Sequence, residues 1–434
     1  MSIIRTVHGR QIFDSRGRPT VEVDITLENG VSARASVPSG ASTGTHEAHE
    51  LRDGDASVFD GLGVTSAVEH VNGEIAAALR GHDVDNQRAI DETLRNLDGT
   101  STLSRLGANA VLGTSLAVCR ASAVASGLPL YRRIAQLAGV DEPVLPMPMV
   151  NILSGGLHAG RGMDVQDFLA VPVAATSALE AIQLTSRVRA AAAALSAKRG
   201  LPTLLADEGG LSPGCRTGEE ALELITESIL AAGLRPGTDI AIAIDVAAAS
   251  LYDSEAGDYH LRRQERHLST AEMIDMVSSW VDRFAIVSIE DPLGEDDWDG
   301  WQTLTKRLGH RIRLIGDDLF TTNSERLARG ISQGVANGVL VKVNQNGTLT
   351  GTLDVVAEAR AAGYAPVVSA RSGETEDDFL ADLAVGSAAG QIKIGSVRNS
   401  ERLAKYNQLV RIAEDPTLDF RNLPALALTA DGGR

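Results

Sequence analysis

The chain of 434 residues carries 57 acidic against 40 basic side chains, a net charge of −17, which argues against nucleic acid and anionic membrane as partners. Its two cysteines, Cys119 and Cys215, are too few for a disulfide framework, and no signal-peptide pattern or bilayer-length apolar run is evident, so a cytoplasmic protein is expected. The length suits two domains, or a barrel with an appended domain.

After a strand-like opening, SIIRTVHGRQIF, alternating segments at Thr20–Leu27 and Val31–Val37 flank Glu28-Asn29-Gly30 and predict an antiparallel hairpin. Helical patterns follow near Val64–Leu79, Asn86–Leu94, Ala108–Ala125 and Leu130–Leu137. Strands first and helices afterwards predict a small α+β domain over residues 1–138. The proline-rich stretch Pro143–Pro148 reads as a linker, so a second domain over 139–434 should begin there. An Ala-rich helix is expected around Ala190–Ala194, and the final Asp-Gly-Gly-Arg reads as a frayed end.

In the second half, short runs rich in Ile and Val recur at intervals of roughly 25 residues, or about twice that, which fits βα units closing into a barrel. Each run ends in a charge: IAIAID at Asp245, AIVSIED at Glu290, IRLIGDD at Asp317, GVLVKVNQ at Lys342 and GQIKIGS at Lys393. The carboxyl ends of such strands form the active-site face of a barrel, so three carboxylates and two amines should surround one mouth. Only five of the 40 basic residues are lysine. Two of them fall in strand runs, where a buried charge is costly, and unlike arginine a crowded lysine can give up its proton.

Asp245, Glu290 and Asp317 offer hard oxygen ligands from three neighbouring strands, a set that suits Mg²⁺ with its remaining positions left to water or substrate. A divalent ion beside two lysines matches removal of a proton next to a carboxylate, where the product carries an extra negative charge. Any phosphate would need a local cluster of cations in so acidic a chain.

The segments VPSGASTGTHEA, SIEDPLGEDDWDGW, IGDDLFTTN, VKVNQNGTLT, RSGETEDDFLADLAVG, GQIKIGS and SERLAKYNQL, in order between about Ile3 and Ile412, resemble the enolases, which dehydrate 2-phosphoglycerate to phosphoenolpyruvate. The resemblance implies an α/β fold with an N-terminal α+β capping domain on a modified (β/α)8 barrel that opens with two strands and two helices. It also implies a homodimer or a ring of dimers. It makes Asp245, Glu290 and Asp317 ligands of a tight Mg²⁺, Lys342 the base, and Lys393 the holder of the substrate carboxylate. Glu208, in ADEGG, would meet the departing hydroxyl as an acid, and His158, in GGLHAG, would approach the substrate. Arg371 and Ser372 would grip the phosphate, while Ser39 would close over the site and help to bind a second Mg²⁺.

Two departures fall on one side of this pattern. Ser369-Ala370-Arg371-Ser372-Gly373-Glu374 has alanine where the family has histidine, and Gln166-Asp167-Phe168 has aspartate where it has glutamate. Both affect the substrate side that handles the leaving hydroxyl, and both remove volume. The expectation is a Mg²⁺-dependent enolase homologue that takes the α-proton from 2-phosphoglycerate or a close phosphorylated or phosphonate analogue. Its specialisation would be of the carboxyphosphonoenolpyruvate synthase type. An ordinary glycolytic enolase and an inactive enolase-fold binding protein are the alternatives.

Overall fold

A computed structural model describes residues 2–40 and 44–420; the predicted frayed end and the middle of the SGASTG loop lie outside the described residues. In the first domain β1 (Ile4–Phe13), β2 (Pro19–Leu27) and β3 (Ser32–Ser36) form an antiparallel sheet in that order. The predicted hairpin is β2–β3, with Thr26 opposite Ser32. Val21, Val23, Ile25 and Leu27 alternate with less buried residues in β2, so one face is sealed and the register is fixed.

The helix Ala108–Ala125 lies across β2 and β3. By length and composition it is apolar enough to cross a membrane, which corrects the expectation that no such run exists. In this fold 83% of it is buried, and a helix covered on nearly all sides needs an apolar surface all round.

The second domain follows at once from the proline-rich stretch, whose last residues already belong to β4 (Met147–Ser154). β5 (Asp167–Val171) and β6 (Ala241–Asp245) come next. A small antiparallel sheet of β7 (Tyr252–Asp253), β8 (Asp258–Leu261) and β9 (Arg266–Leu268) interrupts the series. β10 (Ile286–Glu290), β11 (Arg313–Gly316), β12 (Gly338–Val341), β13 (Ala365–Ser369) and β14 (Gln391–Gly395) then complete a closed barrel with β4, β5 and β6. β5 runs antiparallel to both neighbours, and the helices Ala178–Lys198 and Gly218–Ala231 follow it before the regular βα units begin. The opening is therefore two strands and two helices, and the Ala-rich helix lies where it was expected.

The interior of the barrel is a core of its own, built from Met147, Met149, Leu169, Val171, Ala241, Ala243, Ile315, Leu340 and Val367. Because side chains alternate along a strand, the next inward position toward the mouth is Asn151 in β4, Asp245 in β6 and Ser369 in β13. Asp317 and Lys342 continue the same alternation one residue beyond β11 and β12. In β5 the direction is reversed, so its first residue, Asp167, reaches the mouth. One rule of alternation thus turns an apolar plug into a ring of polar side chains.

Candidate active site

The mouth is a cavity lined by His158, Gln166, Glu208, Asp245, Ala247, Asp291, Asp317, Asp318, Lys342, Ser369, Ala370, Arg371, Ser372 and Lys393. Several strand exits turn sharply here, with Ala247 at φ 48°, Asp291 at φ 40° and Thr321 at φ 47°, conformations that are costly for residues with a Cβ and that concentrate at functional sites. Asp291 fastens one exit to the next: its Oδ1 accepts the Asp317 amide at 2.9 Å and its Oδ2 accepts the Asp318 amide at 2.7 Å. A wider cleft of about 830 Å³ between the first sheet and the segment Glu374–Asp378 has no lysine among its described lining residues.

On one side of the mouth the charges are matched. Lys393 Nζ donates to Asp245 Oδ2 at 2.7 Å and to both Glu290 oxygens at 2.8 Å. Burial alone would depress this ammonium, but Asp245 and Glu290 outweigh it and hold its pKa well above the usual lysine value. Lys342 Nζ donates to Asp317 Oδ2, and Gln345 Nε2 donates to Asp317 Oδ1 at 2.9 Å. Burial draws the Lys342 pKa down, Asp317 together with Glu290 and Glu47 brings it above the usual lysine value, and the cation of Arg371 opposes that rise. Lys393 lies within β14 as expected, whereas Lys342 stands just past the end of β12 rather than inside it.

The opposite side is not matched. Asp167 and Glu208 are both buried acids, at 0% and 6% exposure. Ser154 Oγ donates to Asp167 Oδ1 at 2.6 Å, and Asn151 Nδ2 donates to Glu208 Oε2 at 3.1 Å. Between their other oxygens stands His158 Nδ1, 3.6 Å from Glu208 Oε1 and 3.9 Å from Asp167 Oδ2. Burial, and then the charge of Glu208, pushes the Asp167 carboxyl well above the usual range. Glu208 moves the other way: burial favours its neutral form, but His158, Arg402 and the two lysines bring it below its ordinary value. Asp167 is thus the member of the pair that holds its proton more tightly. His158 is kept neutral chiefly by burial.

The loop bearing Glu208 can approach because Gly395, at φ 111°, leaves room; a Cβ there would lie 2.9 Å from the Glu208 carbonyl. Arg371 is buried and donates to Glu47 Oε2 at 3.0 Å and Asn344 Oδ1 at 2.9 Å. Arg402, wholly buried, ties the loop down by donating to the carbonyls of Arg371 and Ser372, each at 2.7 Å. Ser39 pairs with Gly373 through the backbone, but its hydroxyl donates to Glu50 at 3.0 Å and accepts from Arg52 at 2.9 Å instead of lining the cavity.

Residues 4–134 match the family described as Enolase, N-terminal domain, and residues 142–419 match Enolase, C-terminal TIM barrel domain. The chain belongs to the enolase family. Membership makes it an enolase-superfamily lyase with a small phosphorylated acid as substrate, and the family typically uses Mg²⁺.

The enolase-type mouth of this chain is chemically fit for such an ion. Five lining acids, Glu208, Asp245, Asp291, Asp317 and Asp318, face only Lys342, Lys393 and Arg371, and the last is already paired with Glu47. Burial, and next Asp245, pushes the Glu290 carboxyl well above the usual range, and Asp318 is pushed up to about 7 by burial and then Asp317. Buried acids under this mutual repulsion favour an added cation, and their donors are hard oxygens. The acids that approach one another most closely around Asp317 are Asp291 and Asp318, while Asp245 and Glu290 meet through Lys393.

Of the residues that matter here, sequence reasoning missed Asn151, Ser154 and Arg402. Asn151 and Ser154 look like interruptions of an apolar run in MPMVNILS, and only alternation counted from a known barrel shows that Asn151 faces the mouth. Arg402 resembles any basic residue on an amphipathic helix; its position below the Arg371 loop is a tertiary fact. Ala370 does line the cavity, and its amide donates to the Lys393 carbonyl at 2.9 Å.

Proposed function

We propose that this protein takes the α-proton from 2-phosphoglycerate or a close analogue, with Lys342 as base. The observation that carries the reading is the pair of ammonium groups held against Asp245, Glu290 and Asp317 at the mouth of an enolase-type barrel. Asp245, Glu290 and Asp317 would hold Mg²⁺, which when bound would supply positive charge against that of a substrate dianion. Lys342, whose ammonium form Arg371 disfavours, would act in its neutral form and accept the proton from carbon. Lys393 would hold the substrate carboxylate as its charge grows. Arg371 and Ser372 would meet the phosphate, and Asp167 would deliver the proton to the leaving group beside Glu208 and His158.

A second reading concerns what leaves. Ala370 lines the cavity without offering a proton donor, and Asp167 is drawn back against Ser154. This supports a specialised relative of the carboxyphosphonoenolpyruvate synthase type over an ordinary glycolytic enolase. Phosphorus NMR of the protein with Mg²⁺ and 2-phosphoglycerate, with and without an activated phosphonoformate, tests both readings. A new phosphonate signal only with the donor supports specialisation, rapid phosphoenolpyruvate formation without it returns the chain to ordinary dehydration, and no reaction in either tube contradicts both.

A further inference from the structure

We propose that His158, Asp167 and Glu208 form a separate cation site, with one nitrogen and two oxygen donors, that takes a zinc-class divalent ion on the leaving-group side of the mouth. One donor atom from each residue lies within 4.8 Å of the other two. His158 Nδ1 is 3.6 Å from Glu208 Oε1 and 3.9 Å from Asp167 Oδ2. Bonds of 2.0–2.2 Å to a tetrahedral ion would set such donors about 3.3–3.6 Å apart, so small side-chain movements close the site.

A second observation is independent of that proximity. Asp167 Oδ2 and His158 Nδ1 are both buried without a hydrogen-bond partner, on side chains only 0% and 9% exposed. Buried polar atoms are nearly always satisfied, so two bare ones turned toward the same point call for a ligand. The partners behind them are arranged as they are around bound metals. Ser154 holds Asp167 Oδ1 and Asn151 holds Glu208 Oε2, which leaves Oδ2 and Oε1 to face the imidazole. A cation would also relieve the repulsion between the two carboxylates, and the imidazole is already in its neutral, ligating form.

Nitrogen in the donor set separates this site from the all-oxygen group of Asp245, Glu290 and Asp317. It favours zinc, copper or nickel where the other suits magnesium. An ion held here would occupy both acids of the proposed leaving-group step, so zinc should inhibit turnover; that consequence rests on the functional reading above, whereas the binding does not.

The test is equilibrium dialysis of the full chain against Zn²⁺ in saturating Mg²⁺, with bound metal counted by mass spectrometry. One zinc per chain should bind, persist in Glu290→Gln, and weaken at least about 100-fold in both His158→Gln and Asp167→Asn, with about 10–100-fold weakening in Ser154→Ala. Circular-dichroism melts of each variant establish that it is folded before its binding is scored. Zinc held undiminished by folded His158→Gln and Asp167→Asn would overturn the proposal, as would its loss in Glu290→Gln. Exchange of the substrate α-proton, which reports on Lys342, fails or survives independently of these outcomes.

Discussion

The two sides of the mouth differ in how their charges are settled. Around Lys342 and Lys393 each ammonium has a carboxylate partner, with amide donors from Gln166 and Gln345 completing the set. Around Asp167 and Glu208 two acids confront each other across a neutral imidazole, and polar atoms remain bare. The first arrangement keeps its protons on the lysines until a cation and substrate arrive. The second is completed only by something from outside. Asp167, one of the two departures from the enolase pattern, stands on that second side, and under the proposed function the difference would separate a proton-abstracting half from a leaving-group half.

The comparison can be broken most severely at the base. Lys342→Ala should lower the exchange of substrate α-hydrogen with heavy water by about 10²–10⁴-fold, read by proton NMR. Glu290→Gln should weaken Mg²⁺ binding by at least about 100-fold in calorimetry, because it removes a charge from the oxygen donor set. Asp167→Asn should slow product formation by about 10²-fold while exchange continues. The sign of its pH effect follows from the raised pKa: Asp167 keeps its proton to higher pH than an ordinary carboxyl and loses it as pH rises, so product formation should fall on the alkaline side, and Asp167→Asn should abolish that limb of the profile. Ala370→His is the mildest change, expected to alter dehydration by less than about tenfold, and exchange not at all, in a steady-state assay.

The side with the two lysines was legible in the sequence because parallel barrel strands are short apolar runs and their last inward residues carry the charges. Asp245, Glu290 and Lys393 stand within their strands, and Asp317 and Lys342 one residue beyond theirs. The other side was only partly legible. Asp167 reaches the mouth because β5 runs against its neighbours, and a five-residue apolar run does not declare its direction. Which acid of the Asp167–Glu208 pair keeps the proton depends on Ser154, Asn151, Arg402 and the depth of burial, none of which has a local signature. The small sheet β7–β9 escaped notice because Tyr252–Asp253 and Arg266–Leu268 are too short to show a period. Ser39 was placed by its loop, but its hydroxyl answers to Glu50 and Arg52, residues that become its neighbours only in the fold.

The most direct measurement compares two rates in one tube: deuterium entering the α-position of 2-phosphoglycerate and loss of substrate to product, followed by NMR in heavy water with Mg²⁺. A retained base beside an altered leaving-group half predicts that Asp167→Asn still exchanges the α-hydrogen while forming little product, and that Lys342→Ala does neither. Exchange that survives in Lys342→Ala, or disappears in a folded Asp167→Asn together with product formation, would contradict the division of the site into two halves.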